Sequence, residues 1–347
     1  MSDIHIIPDS YNIIDALRRI NDIASGPLVL FVVDDERRMI GTLTDGDIRR
    51  ALIRGIHLEQ SVREAIHRNF NHLRKGIDDT VTNLQCQRNL KMKLVPILDS
   101  DQHIVEIIDL EKYRSKLPID AVLMAGGKGE RLRPLTEKTP KPLIKIGDKA
   151  IIDYNIDNLI KFGLRHISVT INYLGEQLEE HFAEKRDGVK IHTVREPQYL
   201  GTIGSIKYVE KFYNDTVLVM NSDLFTNINY EDFYIHFKQH DADMSVAAVP
   251  YVVKVPYGVF NLEGREIKGI TEKPTISYYA NAGIYLIKKN WLNLIPENKF
   301  YNATDFIEDL VSKEAKVIRY PISGYWIDIG QHDELERAID IAKHIQR

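Results

Sequence analysis

The chain has 347 residues, 44% of them apolar and 28% charged, with a net charge of −4 and a pI near 6.3. That is the composition of an ordinary soluble globular protein with room for two domains or more, and it excludes a general electrostatic affinity for nucleic acid or anionic membrane. No apolar stretch approaches the roughly 18 residues that span a bilayer, and "MSDIHIIPDSYN" lacks the basic region and apolar run of a signal peptide. The single cysteine, Cys86, can form no intrachain disulfide and reads as a buried or idle thiol of a reducing compartment. A cytoplasmic protein is expected.

Residues 1–117 contain a weak internal repeat. "FVVDDERRMIGTLTDGDI" (31–48) aligns with "PILDSDQHIVEIIDLEKY" (96–113), each copy reading as strand, acidic turn, strand and helix start. A helical stretch precedes each copy, at 10–22 and at 79–92. The pattern resembles a tandem pair of CBS domains, a family that commonly binds an adenosine-type nucleotide between its two units. The resemblance implies that Thr44 and Asp47 of "GTLTDGDIRR" hold ribose hydroxyls, whereas the second copy has Asp109 and Lys112 at the same positions and departs from the pattern. A regulatory adenine or guanine nucleotide is therefore one expectation. A ligand-free pairing module with Asp47 capping the next helix is the other. Either way, such modules commonly associate, which implies a homo-oligomer.

A boundary falls at Pro118, which disfavours helix at Leu117. In residues 118–347, strand candidates at 119–126, 166–172, 189–196 and 216–223 alternate with helical stretches at 151–163, 175–186 and 201–212. This argues an α/β domain with a largely parallel sheet. Beyond residue 241 the pattern turns β-rich, with strands at 244–252, a hairpin over 257–274 turning at "EGR", and a strand at 281–288. A final helix carries Leu335, Ala338, Ile339 and Ala342 as an apolar stripe, read as core packing. His236 and His240 have helical ligand spacing, but with no third ligand nearby they read as surface residues.

The first strand runs into "MAGGKGERLRPLTEKTPKPL" (124–143), with Gly126, Gly127 and Gly129 followed by Arg131, Arg133, Lys138 and Lys141. Glycines let backbone N–H groups approach an anion, and Arg and Lys supply the charge. A dinucleotide fingerprint needs a third glycine where Leu132 stands, and a P-loop needs a hydroxyl after its lysine, so neither loop fits. The full run resembles the signature of sugar-phosphate nucleotidyltransferases. The resemblance continues through "EPQYLGTIGSI" (Glu196, Gly201, Thr202), "NSDLF" (Asp223), "PYGVF" (Gly258), "ITEKP" (Glu272, Lys273), "NAGIY" (Asn281, Gly283) and "YWIDIG" (Asp328).

What that resemblance implies is a Rossmann-like mixed-sheet domain joining a nucleoside triphosphate to a sugar 1-phosphate with release of pyrophosphate. It makes Arg131, Lys141 and Lys273 the catalytic cations, and gives the nucleotide to Gly126, Gly127, Gly129, Gly201 and Thr202. The sugar falls to Glu196, Gly258, Glu272, Asn281 and Gly283, and Mg²⁺ to Asp223 and Asp328. Arg133 and Lys138 are left as surface charges. A CBS pair ahead of such a domain resembles the guanylyltransferases of bacterial legionaminic-acid synthesis, which implies GTP and glucosamine 1-phosphate. Another hexose or heptose 1-phosphate nucleotidyltransferase (mannose 1-phosphate with GTP, or a UTP or dTTP user) and a non-catalytic nucleotide sensor are the alternatives.

Overall fold

The repeat is visible in the backbone. In the computed structural model, which describes residues 3–23, 26–77 and 80–345, β1 (Ile6–Pro8) leads to α1 (Ile13–Asn21), and β2 (Val29–Val33) and β3 (Met39–Thr44) precede α2 (Asp45–Ile53). The second copy repeats the order with β4 (Leu73–Arg74), α3 (Thr80–Asn89), β5 (Leu94–Leu98) and β6 (Ile104–Asp109). In each three-stranded sheet the first strand pairs parallel with the second and the second antiparallel with the third. Leu30, Val32 and Leu43 of the first sheet pack on Ile13, Ala16 and Ile48 of its helices, a wholly buried core. Cys86 is exposed on α3, so of the two readings, a buried or an idle thiol, burial does not hold. Asp79, the first residue of the expected second helix, lies outside the described residues.

The chain divides into two compact units, Met1–Lys116 and Leu117–Arg347. The second unit begins with β7 (Asp120–Ala125), whose residues are almost all buried, as expected of a strand covered on both faces. After the glycine loop and a short ribbon, β8 (Lys145–Ile146) and β9 (Lys149–Ala150), the chain runs through α4 (Ile151–Lys161), β10 (Ile167–Ile171), α5 (Gly175–His181), β11 (Ile191–Arg195) and β12 (Thr216–Asn221). It then leaves the main sheet for β13 (Leu224–Thr226) and α6 (Tyr230–Gln239), the helix that carries His236 and is capped at its end by His240. The rest is β14 (Met244–Lys254), the hairpin β15 (Val259–Glu263) and β16 (Glu266–Thr271), β17 (Thr275–Lys288), α7 (Ala303–Ser312), β18 (Val317–Pro321), β19 (Trp326–Asp328) and α8 (His332–Ile345).

Seven strands form one mixed sheet in the order β11-β10-β7-β12-β17-β14-β18. β11, β10, β7 and β12 are parallel, and β17 runs antiparallel between β12 and β14. From β7 the chain builds outward to β10 and β11, then returns to place β12 on the other side of β7. This reversal is the topological switch point at which open α/β sheets bind ligands, in the crevice beyond the carboxyl ends of the strands. Val122, Val217, Val219, Tyr285, Ile287 and Phe306 form the core on the sheet. Leu132, Ile151, Phe225, Ile327, Leu335 and Ala338 form a second cluster at the glycine loop, and full burial of a residue such as Phe225 contributes about 2–3 kcal/mol. The apolar stripe of α8 packs into this second cluster, as the sequence predicts.

Two elements differ from expectation. Residues 201–212 hold only a 3₁₀ segment, Gly204–Tyr208, because the N–H groups of Ile203 and Gly204 both turn to the carbonyl of Tyr301 rather than to a helix. The expected strand at 281–288 is the end of the 14-residue β17, whose first half pairs with β14 as an exposed arm. The β15–β16 hairpin closes that arm and leaves Phe260, Leu262, Ile267 and Ile270 exposed.

Candidate active site

The loop after β7 folds into three single 3₁₀ turns, Glu130–Leu132, Leu135–Glu137 and Lys141–Leu143, rather than into a helix. Gly129 starts the first turn at φ 62°, and a Cβ there would lie 2.9 Å from Thr136 Cγ2 and 3.1 Å from Lys141 Cβ. The loop therefore closes over Lys141 only with glycine at this point. Thr136, fully buried, donates its hydroxyl to the Gly129 carbonyl at 2.9 Å, and Tyr173 donates to the Thr136 carbonyl at 3.1 Å. Both bonds fix the loop from behind.

The loop forms one wall of a cavity of about 720 Å³ at the switch point. Gly126, Gly127, Lys128, Gly129, Arg131 and Lys141 line it from the loop, Thr170 and Asn172 from β10, and Glu196, Tyr199, Gly201 and Thr202 from the segment after β11. Asn221, Ser222 and Asp223 enter at the end of β12, and Asp328 and Gly330 at the end of β19. Small-molecule sites have volumes in this range.

Lys141 is 9% exposed, so its ammonium must be paired. It donates to Asp223 Oδ2 and lies 3.8 Å from Asp328 Oδ1. The two carboxylates come together through a ribbon: β13 pairs antiparallel with β19, with Leu224 opposite Asp328, and Ile329 N donates to the Asp223 carbonyl at 3.2 Å. Burial pushes the Asp328 carboxyl up, and the charge of Asp223 adds to this, outweighing the opposite pull of Lys141 and Arg131. The Oδ1 atoms of both aspartates are buried without a hydrogen-bond partner. Two acidic oxygens with free lone pairs, already short of positive charge, fit a hard divalent cation that completes its shell with phosphate and water. Arg131 reaches the same corner, where a Cβ on Gly330 would lie 2.9 Å from its Nη2.

Glu196, 5% exposed, stands on the other side of the loop, two strands from β7. Its Oε2 accepts from Leu200 N at 3.2 Å, and a Cβ on Gly126 would come within 2.2 Å of its Oε1. Burial pushes its carboxyl up, while bonds from Leu200 and Asn172 pull the other way. The Glu196 carboxyl thus lies against Gly126, at the start of the glycine loop, while Lys141 at the other end of the loop's sequence makes the contacts to Asp223 and Asp328.

Thr202 is spoken for: its hydroxyl accepts from Ala303 N at 2.8 Å, tying the stretch to the start of α7. Gly258, Glu272, Lys273, Asn281 and Gly283 are not among the residues lining the cavity. The first three sit together on the exposed arm, with a Cβ on Gly258 3.0 Å from Glu272 Oε2, and Lys273 is exposed at φ 43°. Asn281 accepts from Gly283 N and donates to the Tyr285 hydroxyl, both at 2.9 Å, and Gly283 abuts Asn221 at the cavity's edge. Lys128, Asn172, Tyr199, Asn221 and Ser222 line the cavity without having been singled out in the sequence. Lys128 was open to notice as a fifth cation within the loop, and Tyr199, Asn221 and Ser222 lie inside the quoted motifs, whereas Asn172 carries no local signal.

In the N-terminal unit, Thr44 and Asp47 border a separate cleft of about 520 Å³ that also takes in Phe31, Arg50, His67, Phe70 and Leu94. Thr44 caps α2, donating its hydroxyl to Asp47 Oδ2 at 2.6 Å, and Arg50 donates to Asp47 Oδ1 at 2.6 Å. Burial works against the charge on Asp47, yet these bonds hold its carboxyl below the usual range. In the second copy Asp109 instead accepts from Glu111 N and Lys112 N, closing a turn.

An acidic pair with a lysine between them, set beside a glycine loop at a switch point, defines a nucleotide-handling α/β site. Residues 120–344 match the nucleotidyl transferase family and residues 1–54 the CBS domain. The chain belongs to the nucleotidyl transferase family and carries a CBS domain at its N-terminus. Among similar proteins, the "mannose-1-phosphate guanylyltransferase catalytic subunit beta" of Danio rerio is 30% identical over 220 residues, 61% of each chain. The "mannose-1-phosphate guanyltransferase" of Yarrowia lipolytica is 30% identical over 219 residues, 60% of each. The match thus spans about three fifths of the length of these relatives. The solved structure of HddC from Yersinia pseudotuberculosis is similar at a TM-score of 0.50 and 25% identity, covering 65% of this chain and 99% of that one. Among the described residues no helix is long and apolar enough to cross a membrane.

Proposed function

We propose that this protein transfers a guanylyl group from GTP to a hexose 1-phosphate, giving a GDP-sugar and pyrophosphate. A phosphate oxygen of the sugar 1-phosphate would attack the α-phosphorus in line. The bond from that phosphorus to the bridging oxygen breaks, and pyrophosphate leaves with its electron pair. The attacking group is already ionised, so no general base is required, and the task is to position two anions and neutralise charge. Lys128, Arg131 and Lys141 would hold the triphosphate, with glycine-loop N–H groups against its oxygens. Asp223 and Asp328 would hold Mg²⁺, which supplies charge neutralisation across the phosphates. Lys273 and Glu272, on the arm, would meet the sugar phosphate.

The observation that carries the choice of base is Glu196. Guanine presents two adjacent donors, N1–H and the 2-amino group, and a carboxylate is the acceptor-only partner that satisfies both. Uracil and thymine flank a single N–H with two carbonyls, which a carboxylate repels. Glu196 lines the cavity beside Gly126, where the glycine loop begins, and we assign it to the base rather than to the sugar, the role its motif implied. The guanylyltransferase names of the similar proteins agree with this reading.

For the sugar, those names favour mannose 1-phosphate and the CBS-plus-transferase order favours glucosamine 1-phosphate. Pyrophosphate release with GTP against both sugars decides between them, and release with UTP or dTTP but not GTP would sink the assignment of Glu196. The N-terminal cleft, with Thr44 and Asp47 at its rim, is proposed as a regulatory nucleotide site. Unchanged melting in AMP, ATP and GTP would remove that role.

A further inference from the structure

We infer that Asn155 is the positioning residue of the acidic pair, holding the turn that presents Asp223. The inference rests on the reading of Asp223 and Asp328 as ligands of a divalent cation. Asn155 lies on the second turn of α4, 3% exposed, surrounded by Ile151, Ile152 and Ile156 of its own helix. A polar amide in such a place must make hydrogen bonds or cost stability. Its Nδ2 donates to the carbonyl of Leu224 at 2.8 Å and to that of Ser222 at 3.4 Å. Those are the residues immediately before and after Asp223, so one buried amide grips both sides of the peptide that carries the carboxylate.

The grip matters because the turn leaves both sheets and is held from three sides. β12 ends at Asn221 and β13 begins at Leu224, so Ser222 and Asp223 lie between two strands that belong to different sheets. On the loop side, Ser222 is anchored to the Met124 carbonyl through its hydroxyl at 2.7 Å and its N–H at 3.2 Å. On the ribbon side, Asp223 O accepts from Ile329 N. Asn155 supplies the third side, through a side-chain bond to Leu224, the residue whose strand partner is Asp328. The same two bonds that fix Asp223 therefore also set the start of the ribbon that delivers the second aspartate. Residues that orient metal-binding groups in this way typically contribute about 10–100-fold to metal affinity or activity.

The test follows Mn²⁺ binding by electron paramagnetic resonance in the full-length protein with equimolar GTP and no sugar phosphate. Asn155→Leu keeps the branched outline, with somewhat more bulk, and removes both donors. Tyr154→Phe, on the same helix, removes the hydroxyl that donates to Ile146 O at 2.8 Å and serves as the control for plain loss of a helix contact. The inference predicts that Asn155→Leu raises the Mn²⁺ dissociation constant about tenfold or more and lowers kcat, while KM for the sugar 1-phosphate stays within about twofold. Tyr154→Phe should lower the melting temperature and leave Mn²⁺ affinity unchanged. Should Asn155→Leu fail to fold, Asn155→Ser, whose hydroxyl falls short of both carbonyls, is expected to show the same loss of metal affinity. Equal Mn²⁺ affinity in wild type and Asn155 variants would overturn the inference alone. Absence of Mn²⁺ binding by the wild type would overturn the reading of the acidic pair and the inference with it.

Discussion

Replacing Glu196 with Gln changes one oxygen to an NH₂ group and leaves the shape alone. In the structure Oε2 accepts from Leu200 N at 3.2 Å, so the amide must turn its remaining oxygen to that bond and its NH₂ toward the cavity. A donor then faces the two donors of guanine. Losing a hydrogen bond to a charged acceptor costs about 1.5–3 kcal/mol, and the mismatched second donor adds to it, so kcat/KM for GTP should fall about 10²-fold. Inosine triphosphate lacks the 2-amino group, so the preference for GTP over it should largely vanish in the variant. The assay is steady-state pyrophosphate release with GTP, ITP and UTP. A GTP value within about threefold of wild type, or an equal fall for UTP, would refute the role in base recognition.

Burial holds the Glu196 carboxyl above its ordinary 4.5, so its ionised form is disfavoured in the folded protein. The stability it contributes is fully present below the unfolded value and is lost as pH rises through the folded one. Glu196→Gln should therefore melt higher than wild type at neutral pH, with the gap closing in acid, and wild-type GTP affinity should weaken as pH falls through the raised value.

Three further outcomes follow from the geometry. Gly126→Ala would set a methyl group 2.2 Å from Glu196 Oε1 and 3.3 Å from Asn172 Cβ, so the carboxylate must leave Leu200 N; KM for GTP should rise about tenfold, measured by initial rates. Lys141→Met removes the cation that pairs with Asp223 and lies beside Asp328, which should cost on the order of 10²-fold or more in kcat; a variant with wild-type kcat would contradict its place beside the triphosphate. Thr44→Ala removes the cap of α2 and a partner of Asp47, lowering the stability of the N-terminal unit by about 1 kcal/mol; denaturant unfolding would show it, and an unchanged midpoint would dismiss the cap.

Sequence reasoning read best where the chemistry is local. The glycine–arginine–lysine loop lies within twenty consecutive residues, and the strand before it is a continuous apolar run, so loop and sheet position were both legible. The 65-residue offset between the two N-terminal copies reappears in β2 with β5 and in β3 with β6. What escaped notice depends on contacts distant in sequence. β13 and β19 are three residues each and pair across about a hundred positions, so nothing local announces the ribbon that joins Asp223 to Asp328. Residues 201–212 alternate like a helix, but Tyr301 claims their backbone N–H groups. Asn172 and Tyr199 enter the cavity only because β10 and β11 end there. The motifs bearing Gly258, Glu272 and Lys273 were recognised, yet their position on an arm away from the cavity comes from the length of β14 and β17.

Nucleotidyl transfer from GTP through the acidic pair and the glycine loop is the proposed reaction. Pyrophosphate release, with and without Mg²⁺, measured for GTP, UTP, dTTP, CTP and ATP against mannose, glucosamine, glucose and N-acetylglucosamine 1-phosphates, tests it most directly. The expected result is Mg²⁺-dependent release with a clear maximum for GTP, abolished in Asp223→Asn. Turnover that survives Asp223→Asn, or silence with every pair from a folded sample that still binds GTP, would contradict it.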